Sequence, residues 1–355
     1  MPRYAGVNGV NRELTELYFG MNGVNRELME KFVGIEGVNR KYFEKALPPG
    51  VNWTLRQAAV NNNWRRITYG DNLFVAVSSN GTNRIMTSPY NLDWTLRPSG
   101  ADNITLYSVT YGKPNGIGTY IAVGGASAAG YRGARSNDGI NWTLILYSNS
   151  AAYIDVAYGE PNGKGLFVTL SFSVGNSYKS SDGITWEHIS PPAHQYLGIV
   201  YGEPNGKSMF VAFSNSGIIT TSPDGNAWSD LPYTPTGSVS MRDITYGEPN
   251  GNGLFVIVAS SGTHRVRISP DGINWTDIIV PLRTWYAVKY GFGLFVATSD
   301  DGYIMTSPDG INWTEIPAPE MNQWLALTYG KNPNGNNGKF VAVAYSGTNR
   351  VMTSP

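Results

Sequence analysis

The stretch SPDGINWTEI, Ser307–Ile316, has a near twin in SPDGINWTDI, Ser269–Ile278, and looser copies begin at Ser222, Ser180 and Ser136. Pro second and Gly fourth in S-P-D-G suit a type I turn. The Asp carboxylate there can accept from nearby backbone N–H groups and lock the turn, and the Trp that follows can pack between sheets.

That tryptophan is periodic. It stands at Trp53, Trp94, Trp142, Trp186, Trp228, Trp275 and Trp313, at intervals of 38 to 48 residues. A Tyr-Gly pair recurs in step with it, ending at Gly70, Gly112, Gly159, Gly202, Gly247, Gly291 and Gly330. An apolar run follows each pair, as LFVAV from Leu73 or LFVIV from Leu254. Within one unit four short runs bounded by Gly, Pro and Asn read as strands: WLALTYG from Trp324, KFVAVAY from Lys339, NRVMTSP from Asn349 and NWTLR from Asn52. Four strands per repeat of this length describe a propeller blade. Seven sets of markers give an all-β, seven-bladed β-propeller over residues 48–355. Its terminal blade takes three strands from one end of the region and the fourth from PGVNWTLR at the other, which closes the ring. The PNG loops after several Tyr-Gly pairs read as tight structural turns.

Residues 1–47 carry a different repeat. GVNGVNREL begins at Gly6, GMNGVNREL at Gly20 and GIEGVNRKY at Gly34, with a period of 14. Asn-Gly or Glu-Gly between apolar residues suits three β-hairpin turns, with short helices as the rival reading. Hairpins of this size bury little core of their own, so this arm is expected to dock on the propeller, on a sister chain as a homo-oligomer, or on a larger assembly.

Two resemblances follow. The turn resembles the Asp-box of sialidases and related propellers, shortened by one residue. It matches at Asp138, Asp182, Asp224, Asp271 and Asp309, and departs at SPYNLDW, Ser88–Trp94, and at the blade split. These aspartates read as turn locks. The arm resembles the GVNGVAR-type repeats of phage and prophage virion proteins of Gram-positive bacteria. That resemblance implies a location in the virion, attachment to tail or other virion structural proteins through residues 1–47, and a bacterial surface glycan or protein as the propeller's target.

Lys+Arg and Asp+Glu are 26 each, so no net field draws the chain to nucleic acid or an anionic membrane. No apolar run is long enough for membrane insertion, and the start lacks the pattern of a signal peptide. There is no cysteine. His188, His194 and His264 lack metal-ligand spacing, and no phosphate loop or dinucleotide fingerprint appears, so no metal or cofactor is expected. No catalytic constellation emerges. A sialidase would need an arginine cluster, for which Arg65, Arg66, Arg242, Arg265, Arg267 and Arg283 are the available residues. Asp155 and Asp243 fall at equivalent positions of two blades and are a weak carboxylate pair for a glycosidase.

The residue six before each marker glycine is Trp64, Leu106, Tyr153, Tyr196, Met241, Trp285 or Trp324. These residues open the innermost strands, near the central channel. Two readings stand: a ring of Trp and Tyr faces for stacking on sugar, or packing between blades. On the first, Trp64, Tyr153, Tyr196, Trp285 and Trp324 bind ligand, helped by the adjacent Arg65, Arg66, Asp155, Arg242, Asp243 and Lys289. The expected function is a non-enzymatic, virion-associated adhesin. An Asp-box glycoside hydrolase and a ligand-free decoration protein are the alternatives.

Overall fold

The computed structural model describes residues 4–7, 10–13, 29–35, 38–44 and 50–354, apart from 91, 99, 101–103, 126–129, 148–150, 174, 233–238 and 333–337. The chain divides into two compact units, Met1–Pro48 and Pro49–Pro355. In the first, Tyr4–Val7 pairs antiparallel with Val10–Glu13, and Met29–Ile35 with Val38–Glu44. The pairings end with Val7 opposite Val10 and Ile35 opposite Val38. The hairpin expected at the middle repeat lies outside the described residues.

The second unit is a ring of seven sheets, each of four antiparallel strands. The innermost strands are Trp64–Gly70, Leu106–Gly112, Tyr153–Gly159, Tyr196–Gly202, Met241–Gly247, Trp285–Gly291 and Trp324–Lys331, in blades 1 to 7. Each packs against its neighbours in turn, and the seventh meets the first. The apolar runs form the second strands and are almost wholly buried, because sheets cover both of their faces. In blades 2 to 5 the first two strands are joined by short Pro-Asn-Gly turns whose asparagines have φ of 52° to 55°. Asn and Gly tolerate this left-handed backbone.

Five Ser-x-Asp-Gly turns join third and fourth strands, and in all five the Asp Oδ1 accepts from the Ser hydroxyl and from two backbone N–H groups. In blade 6, Ser307 Oγ donates to Asp309 Oδ1 at 3.0 Å and accepts from Gly310 N at 2.8 Å. Asp309 Oδ1 also accepts from Ile311 N and Asn312 N, each at 2.8 Å, and Trp313 Nε1 donates to Gly310 O. Burial opposes ionisation of these aspartates. The backbone and side-chain donors outweigh it and hold Asp271 and Asp309 down at about 2, with Asp138, Asp182 and Asp224 lowered too.

Blade 7 is assembled as the sequence predicts. Val351–Ser354 pairs with Thr54–Arg56, Val351 opposite Arg56. The missing turn is rebuilt across the break: Gly50 N donates to Ser354 Oγ at 2.7 Å, and Trp53 Nε1 to Gly50 O at 2.8 Å.

Two outcomes follow. Removing residues 50–56 strips Val351–Ser354 of its partner and opens a sheet edge. The melting midpoint should fall by several degrees, whereas an unchanged melt would refute closure by this strand. The lowered aspartate pKa values mean that their stabilisation is complete above the ordinary 3.8 and is lost as pH falls towards about 2. Asp309→Ala should cost about 1–2 kcal/mol at neutral pH and flatten the acid limb of a pH series of melts.

Candidate functional site

The inner strands all carry the same irregularity. Their pairing with the second strand slips between the first residue and the third, as between Trp64 and Arg66 or Met241 and Asp243. A bulge leaves one extra residue outside the ladder and re-aims its side chain. Three columns of side chains result.

The first column corrects the sugar-stacking ring. Trp64, Tyr153, Trp285 and Trp324 are fully buried and Tyr196 is 2% exposed. The three indoles sit in apolar clusters built from adjacent blades: Trp285, for example, meets Val256, Val258 and Val266 of blade 5. Each indole Nε1 donates to the carbonyl four residues before it, Val60, Pro281 or Glu320, at 3.0–3.1 Å. A buried ring whose one polar atom is satisfied by its own backbone has no face for a sugar. These residues are wedges between blades.

The second column, one residue on, is the one that faces outward. Arg65, Tyr107, Ile154, Leu197, Arg242, Tyr286 and Leu325, one from each blade, line a single cavity of about 400 Å³ at the channel mouth. Sequence reasoning placed Arg65 and Arg242 beside the site but missed Tyr107 and Tyr286. The available signal was the chemistry of the column: it mixes cationic, aromatic and aliphatic residues at one repeat position, where the wedge column is uniformly apolar. Arg242 lies over the Tyr286 ring, 4.8 Å from its centroid, and its Nε donates to Ser260 Oγ at 2.7 Å. Arg65 lies between Tyr107 and Tyr345, at 5.5 and 5.2 Å.

The third column plugs the channel below. Arg66 reaches across it to Asp243, Nη1 to Oδ1 at 3.1 Å, and to Asp155, Nη2 to Oδ2 at 3.6 Å. Asp243 Oδ2 accepts from Val288 N at 3.0 Å, on the next blade. Asp155 accepts from Ser108 Oγ, from its neighbour Val156 N, and from Ile199 N of blade 4. Burial works against the charge of Arg66, but Asp243 and then Asp155 outweigh it and raise its pKa. Asp155 and Asp243 are thus spoken for by one guanidinium, one hydroxyl and three backbone N–H groups.

Of the six arginines open to clustering, Arg65, Arg66 and Arg242 meet at the mouth. Arg265 is bound to the carbonyls of Ser260, Gly262 and Arg283, Arg267 to Asp277, and Arg283 to Glu315. Among the described residues no three His, Asp or Glu side chains converge as a metal site.

No family model matches the chain, and no curated protein does. Solved propellers do. Virginiamycin B lyase from Staphylococcus aureus superposes with a TM-score of 0.66 at 13% identity, over 85% of this chain and 99% of that one. YCF48 from Cyanidioschyzon merolae gives 0.60 at 14%, over 85% and 98%. An ancestral GH74 enzyme gives 0.59 at 14%, over 93% of this chain and 51% of the enzyme. At these identities the likeness is one of fold.

The wedge assignment has a direct check. Trp285→Ala should leave a cavity and cost about 3–5 kcal/mol of stability. A normal melt for this variant would return the ring to the surface.

Proposed function

We propose that the protein is a non-enzymatic, virion-associated adhesin: the propeller binds a bacterial surface glycan or protein at its channel mouth, and the N-terminal repeats attach it to other virion proteins. The observation that carries the binding half is the cavity, to which every blade contributes one side chain from the same bulged position. Specificity held by one variable column on a repeated scaffold is the usual division of labour in a binding module. Among the similar propellers, YCF48 has also been solved bound to a D1 peptide. The attachment half rests on the resemblance of the arm's repeats to those of phage and prophage proteins.

The glycosidase alternative has less support. Its acid and its base or nucleophile must both face substrate, whereas Asp155 and Asp243 are turned to Arg66 and to backbone N–H groups. The ligand-free alternative must explain why the mouth carries arginines stacked on tyrosines.

Labelled full-length protein should bind Gram-positive cells saturably. Tyr286→Ala should weaken that binding at least about tenfold, the scale of a hot-spot truncation, with an unchanged melt. Ile273→Ser, at a turn on the opposite face, should not. Immunogold labelling of induced particles tests the arm. Absence of cell binding and of particle labelling would reject the adhesin.

A further inference from the structure

The geometry points to an anionic polymer as the ligand of the mouth, with Arg65 and Arg242 as its oxyanion donors; this rests on the mouth being the binding face. Among the described residues neither arginine has a carboxylate partner, whereas Arg66, Arg267 and Arg283 all do. Arg65 Nε is buried with no hydrogen-bond partner among the described residues. Among the described residues Arg242 donates through Nε alone, to Ser260. Both guanidinium groups are held against tyrosine rings. Such stacking pre-orients the planar fork and leaves its outer N–H groups for a carboxylate or phosphate.

Charge balance at the mouth agrees. Arg65, Arg66 and Arg242 line the mouth, and Asp155 and Asp243, which are not in its lining, lie below it, engaged with Arg66. The chain as a whole is formally neutral, so this positive excess is local. Within a concave site an unneutralised pair of arginines focuses the field on an anion. Between the two arginines the wall is apolar, from Ile154, Leu197 and Leu325. The matching ligand has a repeating phosphate or carboxylate beside a carbon-rich face: a polyol phosphate or a uronic-acid polymer.

Titration calorimetry on the full-length protein with poly(glycerol phosphate), polygalacturonate and neutral dextran tests this. One or both anionic polymers should bind at least about tenfold more tightly than dextran, and added salt should weaken them. Binding of the phosphate polymer alone, or of the uronate alone, supports the inference and identifies the source of the anion. Arg65→Gln and Arg242→Gln should each weaken binding about tenfold or more, and Arg242→Lys should weaken it less than Arg242→Gln because charge is kept and the fork is lost. Dextran binding as tightly, or either Gln variant staying within about twofold of the parent, would overturn it. If those variants melt early, the salt series on the parent protein decides, and salt-independent affinity overturns the inference. If cells are bound and Tyr286→Ala weakens that binding while the Gln variants do not, the anion inference falls and the adhesin reading stands. If cells are not bound, the adhesin reading fails while the polymer titration still judges the mouth.

Discussion

The contact on which the ring depends is a tyrosine ring laid on a glycine of the preceding blade. A Cβ added at Gly70, Gly112, Gly159, Gly202, Gly247 or Gly291 would come within 2.1 to 2.5 Å of the next blade's tyrosine: Tyr111, Tyr158, Tyr201, Tyr246, Tyr290 or Tyr329. At Gly330 the added atom would meet Phe74 and Tyr69 of blade 1, so the chain of contacts returns to its start. Close packing of this kind tolerates little added volume. Any larger residue would force two blades apart, and a closed ring has nowhere to take up the displacement. The Tyr-Gly pair therefore repeats because the angle between blades repeats.

A second lock works one layer further out. The glycine of each Ser-x-Asp-Gly turn lies against the second strand of the blade before it, Gly310 on Leu254 and Gly272 on Met209. The rebuilt turn of blade 7 does the same, with Gly50 on Leu294 and Val296. Blade 1 is the exception. SPYNLDW has no glycine; Leu92, one residue beyond the position that is glycine in the other turns, has φ 73° and is buried in a cluster with Val341 and Val343 of blade 7. An apolar side chain there fills the seam at which the ring closes.

These locks explain what was legible in the sequence. Contacts that hold neighbouring blades must recur once per blade, so Tyr-Gly, Trp and the apolar runs appeared as markers, and the split blade followed from counting them. The site was not legible in the same way. Whether Trp64 or Arg65 faces the mouth depends on a bulge that displaces the strand by one residue, and in a strand one residue reverses the facing. Large aromatics drew attention to the wedge column because Trp and Tyr suit both a core and a binding face. The turn aspartates were easier: among the described residues Asp138, Asp182, Asp224, Asp271 and Asp309 bond within their own turns, so local sequence sufficed.

Below the mouth, the inner edge of the ring poses a problem that the charged column resolves. The innermost strands pair on one side only, so their remaining backbone N–H groups point into the channel, where a buried donor without a partner is costly. Asp155 takes one such group from Ile199 and Asp243 one from Val288. Two buried carboxylates that bond backbone then need a cation, and Arg66 from blade 1 supplies it to both. Removing that arginine alone would strand two charges in the channel, an outcome far worse than losing a surface pair. The column is committed to holding the ring, as the wedge column is. The bulged residues between them belong to neither column, which leaves their position open to carry Arg, Tyr, Ile or Leu at the mouth.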